Sequence, residues 1–305
     1  MKKFLLKSLL VFAIFFAVAG LPNLLFCLIA PAWVKFELPR DTTVVFIGDS
    51  HIEIGIDEKF IPGSINFAKS AEPFLNMYPR LKKLLEANPQ ISTVFVDVTP
   101  HNLRKDKDGN IHSEDMRYLL RQNLRFYSLD EMALIPPKTY LGAIFNYRVA
   151  GSSMKSLIFK NPQKIFENLG CHFESNKRGL EADIKYGHAR KRLGFSNNSP
   201  YGNEVQLKYL RKIVEYVRAR NVRIIFLNTP IYHPYEFFDI PYYEATLKAN
   251  FSDVEIWDYA NFPVPDECRQ DVNHLNKWGA EIFSKELARR MREEGIIGHE
   301  TAAEM

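Results

Sequence analysis

Three residue types that together can carry acyl transfer stand at two places in this chain. Ser50 closes the run Phe46-Ile47-Gly48-Asp49-Ser50-His51, and Asp271-Val272-Asn273-His274 lies near the opposite end. A serine hydroxyl is a weak nucleophile at neutral pH and needs a base to take its proton. Histidine suits that task, because its unperturbed pKa lies near neutrality. The imidazole in turn needs an acid to hold its tautomer and to stabilise the imidazolium as it forms. An aspartate three residues upstream on the same loop meets that need with little loss of chain entropy. Ser50, His274 and Asp271 are therefore expected to act as nucleophile, base and acid. Each segment alone has a plainer reading. Strand-Gly-Asp-Ser turns also occur for turn chemistry only, and Asp271 and His274 also suit a helix-capping neighbour and a surface residue.

Positioning these groups requires a sheet whose strand exits meet at one edge. Thr42 to Ile47 is a compact β-branched and aromatic run ending at Gly48, the pattern of a fully buried strand. Gly48 lets the backbone turn there without a Cβ clash. Strand-like runs follow at Ser92–Val98, Val222–Leu227 and, shorter, Val254–Trp257. Between them, Leu75–Ala87 has helical periodicity and stops at Asn88-Pro89. Asn203 is expected to cap a helix running from Glu204 to about Arg220, whose Leu207, Leu210, Ile213, Val214 and Val217 share one face. A last helix runs from about Lys277 to Glu294 and ends before Gly295. Buried strands alternating with helices predict an α/β fold with a parallel sheet. Catalytic residues then sit on loops at the carboxyl ends of the strands. The stretch from about 103 to 201 breaks the alternation and reads as an insertion near the site entrance, rich in aromatic and turn residues. Its basic clusters, Lys177-Arg178 and Arg190-Lys191-Arg192, read as a solvated face, with an anionic glycan or lipid headgroup as the functional alternative.

The N-terminus carries a targeting signal. Lys2, Lys3 and Lys7 precede an apolar run from about Leu9 to Val34, broken only by Pro22 and Asn23. A run of this length can cross a hydrocarbon core, and the leading lysines place the C-terminal domain outside the cytoplasm. The expected organisation is an anchor over residues 1–35 and an α/β domain over 36–305. A cleaved signal peptide is the competing reading, since Ala17-Val18-Ala19 fits a cleavage site. The net charge of +4 is too small to argue for nucleic acid. Three cysteines are too few for a disulfide framework; Cys171 and Cys268 are a disulfide pair if exported, or two incidental thiols. No P-loop, HExxH or Rossmann glycine fingerprint occurs, and no metal or cofactor is expected.

A GDS serine after the first strand and a DxxH pair before the last helix resemble the SGNH/GDSL hydrolase superfamily. The resemblance spans nearly all of the chain beyond the anchor. It implies a three-layer α/β/α sandwich, with Ser50, His274 and Asp271 as the triad. It also implies an oxyanion hole built from three donors: the Ser50 backbone N–H, a second loop at Ile65–Ala71 and a side chain from a third loop. In the second loop Ser70 or Ala71 stands where the family commonly has glycine. In the third, Thr99-Pro100-His101-Asn102, Asn102 matches the family asparagine, while Pro100 and Leu103 replace its glycine and aspartate. One such side-chain donor contributes about 10²–10³-fold in rate. Weaker expectations place His51, His101, Tyr232 and His233 as substrate contacts.

An outward-facing, tethered triad resembles the cell-envelope branch of that superfamily, whose members work with a multi-pass membrane acyltransferase. The expectation is therefore acyl transfer to, or deacylation of, an envelope polysaccharide. A plain esterase or lipase, and a non-catalytic binding or assembly protein, are the alternatives.

Overall fold

A computed structural model describes residues 1–29, 36–146, 180–185, 202–232 and 239–298. His233, Cys171 and the basic clusters at 177–178 and 190–192 lie outside the described residues. The described chain forms two compact units, one of Met1–Phe36 with Asn110–Asn168, the other of Glu37–Gly109 with Leu169–Met305.

In the first unit, helix α1 covers Lys2–Ile29. Its 28 residues are long and apolar enough to cross a membrane. The two residues that interrupt its apolar run have distinct explanations. Asn23 is buried, and its amide donates to the carbonyls of Ile144 and Asn146 at 2.9 and 3.0 Å. Pro22 is the second residue of the α-helical segment that resumes at Leu21 after a π-helical stretch, Phe16–Gly20, a position in the first turn where a missing N–H is tolerated. Phe145 stacks on Phe15, with ring centroids 5.8 Å apart.

The second unit is built on five parallel strands: β1 Val44–Ile47, β2 Ser64–Asn66, β3 Thr93–Asp97, β4 Arg223–Asn228 and β5 Glu255–Asp258. Their order is β2-β1-β3-β4-β5. Four were expected from apolar runs. β2 was not, because it is three residues long and half-buried, so neither alternation nor a continuous apolar run marks it. Helix α2 spans Ser50–Gly55, α3 Phe74–Ala87, α8 Glu204–Arg218, α9 Ile240–Phe251 and α10 Lys277–Glu293. The short helices α4 Glu114–Asn123, α5 Leu129–Ala133 and α6 Pro137–Ile144 belong to the first unit, and α7 is Leu180–Lys185.

Alternate strand residues explain the layers. Val44, Phe46, Phe95, Ile225, Leu227 and Trp257 pack on one face with Ile52 of α2 and Phe283, Leu287 and Met291 of α10. On the other face, α3 packs against α8 and α8 against β4, while Phe226 meets Phe251 of α9 edge-on at 5.3 Å. Strands buried on both faces read as unbroken apolar runs, as these do.

One expected cap is replaced. The Asn203 side chain makes no capping bond; it donates to the Leu103 carbonyl and to the Tyr242 hydroxyl. Asp108 caps α8 instead, its two oxygens accepting from the N–H groups of Val205 and Gln206 at 3.0 Å each. A remote carboxylate is favoured here by its charge, which complements the helix N-terminus. Asp108→Ala should therefore lower stability by about 1–2 kcal/mol, readable from the urea midpoint, whereas Asn203→Ala at the nominal cap position costs the two bonds just named. An unchanged midpoint in Asp108→Ala would refute the cap.

Candidate active site

The strand order reverses between β1 and β3, and ligands in open α/β sheets bind outside the carboxyl ends of strands at such a point. Ser50 leaves β1 there and begins α2, with Asp49 as its cap. Gly48 is required for packing: a Cβ on it would overlap the Asp97 side chain and lie 2.6 Å from Ile52. The second loop is stitched to this turn. Lys69 N–H donates to the Gly48 carbonyl at 3.1 Å, and Asn66 Nδ2 donates to the carbonyls of Ile52 and Ile56, both at 2.8 Å.

The loop bearing Asp271 and His274 is closed at its base by a bridge between Arg269 and Leu275. Asn276 then caps α10, accepting from Trp278 and Gly279. His274 reaches across 224 residues of sequence: its Nε2 lies 2.8 Å from Ser50 Oγ. Its Nδ1 lies 3.0 Å from both oxygens of Asp271. Asp271 Oδ1 also accepts from the N–H groups of Asn273 and His274, at 2.8 and 2.9 Å. Burial would push the Asp271 carboxyl up, but the His274 ring and these backbone donors outweigh it and hold the pKa below the usual range. An ionised acid, an imidazole and a hydroxyl stand in hydrogen-bonded sequence.

Beneath the serine lies a buried polar network that the sequence did not announce. Asp49 Oδ1 accepts from His51 N–H and faces His51 Nδ1 at 2.8 Å. Asp49 Oδ2 accepts from Asn102 Nδ2 at 3.2 Å and lies 3.6 Å from Lys107 Nζ. The Asp49 N–H donates to Asp97 Oδ2 at 3.4 Å. Two buried carboxyls this close cannot share full charge. Burial, then the neighbouring Asp49 charge, drives the Asp97 pKa well up. Burial acts on Asp49 in the same sense, but His51 and then Lys107 overcome it and hold Asp49 well below the ordinary value. Oxygens of Asp49 and Asp97 and a His51 nitrogen lie within 4.8 Å of one another, a grouping that can hold a cation. The Lys107 ammonium already supplies the positive charge there.

The expected substrate and oxyanion residues are placed as follows. His51 is buried and His101 half-buried, with ring centroids 5.3 Å apart, and His51 is 5.2 Å from the His274 ring. Burial, then the Lys107 charge, pushes the His101 pKa well down. Ser70 turns both its N–H (2.6 Å) and its hydroxyl to Glu53 Oε2. Ala71 is the loop's left-handed residue, with φ +59°, the conformation that favours glycine. Asn102 is 1% exposed; besides Asp49 it bonds the Thr99 hydroxyl. Tyr232 is half-buried, and its N–H donates to the Val272 carbonyl at 3.1 Å.

Lys107 is an unforeseen member, since a lysine inside the expected insertion carries no sequence sign of burial. Burial is the main cause that brings its pKa down to about 8, against the opposing charge of Asp49. The unfolded chain then holds more protons than the folded one between about pH 8 and 10.5, so this group makes stability rise with pH across that window. The stability difference between wild type and Lys107→Met should accordingly shift toward wild type, by about 1 kcal/mol per pH unit. Urea midpoints at pH 8 and 10 read the shift; parallel curves would exclude it.

No family model matches this sequence, and no curated relative does. Among solved structures, a GDSL-like lipase from Bacteroides thetaiotaomicron is 11% identical with a TM-score of 0.38, covering 87% of this chain and 94% of its own. A candidate acylhydrolase from Bacteroides fragilis is also 11% identical, TM-score 0.40, covering 87% of this chain and 93% of its own. In its parallel sheet flanked by helices, and in the two segments that meet at Ser50, this chain resembles the SGNH/GDSL hydrolases.

Proposed function

We propose that this chain is a membrane-tethered serine acyl-transfer enzyme, an esterase or O-acyltransferase of SGNH type, acting on an acylated envelope polysaccharide. The observation that carries the reading is His274, whose two ring nitrogens reach Ser50 and Asp271 at 2.8 and 3.0 Å. Ser50 Oγ attacks the ester carbonyl while His274 Nε2 takes its proton. The oxyanion is received by the Ser50 backbone N–H, by the Ala71 backbone N–H, and by the Asn102 amide hydrogen not used on Asp49. His274 then returns the proton to the leaving alcohol. Water or a sugar hydroxyl, deprotonated by the same imidazole, releases the acyl group. Ser70 is left out of the hole because Glu53 holds its N–H.

Helix α1, with its leading lysines, supports single-pass anchoring in a cytoplasmic membrane with the second unit outside. A multi-pass membrane acyltransferase is the partner proposed to supply the acyl group if transfer rather than hydrolysis is the reaction. One observation favours the non-catalytic alternative: Asn102 is tied to Asp49 and Thr99. Labelling the full-length chain in detergent with a fluorophosphonate decides between them. An adduct mapping to Ser50 is the expected result; no adduct at any residue supports the non-catalytic protein.

A further inference from the structure

The helix that reads as the membrane span is not bare along its length. A hydrocarbon layer of about 30 Å takes about 20 helical residues, and α1 offers 28, Lys2–Ile29. Wherever a stretch of about 20 residues is placed on α1, it contains everything from Leu10 to Leu21. Phe145, the residue that follows α6, packs on this obligatory part. Its ring centroid lies 5.8 Å from those of Phe15 and Phe16 and 6.5 Å from that of Phe12. Gly20 leaves room for it, since a Cβ there would lie 2.9 Å from the Phe145 ring. Close approach over small residues is how helices pack where lipid tails are the solvent. A spanning α1 therefore carries the end of α6 into the hydrocarbon with it.

The surroundings of that end suit the same solvent. Helix ends leave carbonyls without intrahelical partners, and lipid supplies no donor for them. Here the buried Asn23 amide serves two of them, the carbonyls of Ile144 and Asn146. Leu141, one turn before Phe145, is 58% exposed. It lies about 6 Å from Phe145 along the helix. Phe16 stands at least about 7.5 Å inside the outer end of any such stretch of α1, so Leu141 falls within the layer or at its edge. Charged groups flank that edge. Lys138 is exposed in the first turn of α6, and Arg117, paired with Glu114 at 3.2 Å, crosses Gly142. Long basic side chains reach from such a depth to the headgroups.

We propose that the last turn of α6 with its cap, Leu141 to Phe145, is a second membrane-inserted element, seated among lipid acyl chains beside α1. The inference rests on the reading of α1 as a span, and its test separates the two. The wild-type full-length chain is reconstituted in phosphatidylcholine–phosphatidylglycerol vesicles that carry a trace of phospholipid with a diazirine on its acyl chain. After irradiation, adducts are mapped to peptides by mass spectrometry. Adducts are expected on α1 between Leu10 and Leu21 and on Leu141–Phe145. A water-soluble diazirine should label neither segment, while it labels the exposed Lys208 region of α8. Acyl-chain adducts on α1 with none on Leu141–Phe145 overturn the inserted turn and leave the span standing. Labelling of Leu141–Phe145 by the aqueous reagent to the level of the Lys208 region overturns it as well. Adducts missing from α1 remove the span, and the inserted turn with it. Because the wild-type chain is used throughout, no result depends on whether a variant folds.

Discussion

Ser50→Ala is expected to lower kcat/KM on 4-nitrophenyl acetate by about 10⁴–10⁶-fold. The hydroxyl is the only reacting oxygen that the proposed mechanism uses on the protein, and alanine offers none. What remains is the rate supplied by the oxyanion donors and by binding, which explains why the loss has a floor. Stability should hardly move. Ser50 is half-buried at the first position of α2, and the variant gives up one side-chain bond, to His274, for about 1 kcal/mol at most. The turn itself is kept by Asp49, which still accepts from His51 N–H. A variant that folds and stays within tenfold of wild type would mean that another group performs the attack.

Asp271→Asn should be nearly as damaging, at about 10⁴-fold in kcat, and for a tautomeric reason. Asp271 Oδ1 already serves the N–H groups of Asn273 and His274. An asparagine must keep its oxygen on those two donors, so its amide nitrogen turns to the His274 ring. Nδ1 then has to accept, which puts the ring proton on Nε2, facing Ser50. An imidazole in that state cannot take the serine proton. The acid limb of stability should change as well. The folded-state pKa of Asp271 is depressed, so its contribution is present above the unfolded value of about 3.9 and is lost as pH falls through the folded one. The asparagine variant lacks that dependence, and its acid unfolding should begin from a lower plateau with a shallower slope. Stopped assays across pH 5–9, with acid titrations followed by circular dichroism, test both halves. Wild-type turnover by Asp271→Asn would assign the orienting acid to another residue.

The two chemical segments were legible because each is local. An apolar run ending in Gly-Asp-Ser predicts a strand exit, and Asp271-x-x-His274 before α10 predicts a braced loop. The four longer strands and three of the four long helices of the second unit, α3, α8 and α10, follow from periodicity in the same way, whereas α9 was not read from the sequence. Asn203 as a cap is where that reading fails. Capping preference is a property of residue type and position, and it cannot register that Asp108, nearly a hundred residues upstream, is delivered to the same helix end.

Local pattern therefore determined the order of the elements, the membrane-compatible length of α1 and the identities of Ser50, Asp271 and His274. Tertiary structure alone decided that the first and last of these meet. It also buried Lys107 against Asp49, split the Asp49 and Asp97 protonation states and turned Asn102 toward Asp49. The physical reason is that periodicity and turn chemistry act within a few residues. Burial, charge pairing and the satisfaction of polar groups depend on which distant segments the packed sheet brings to one edge.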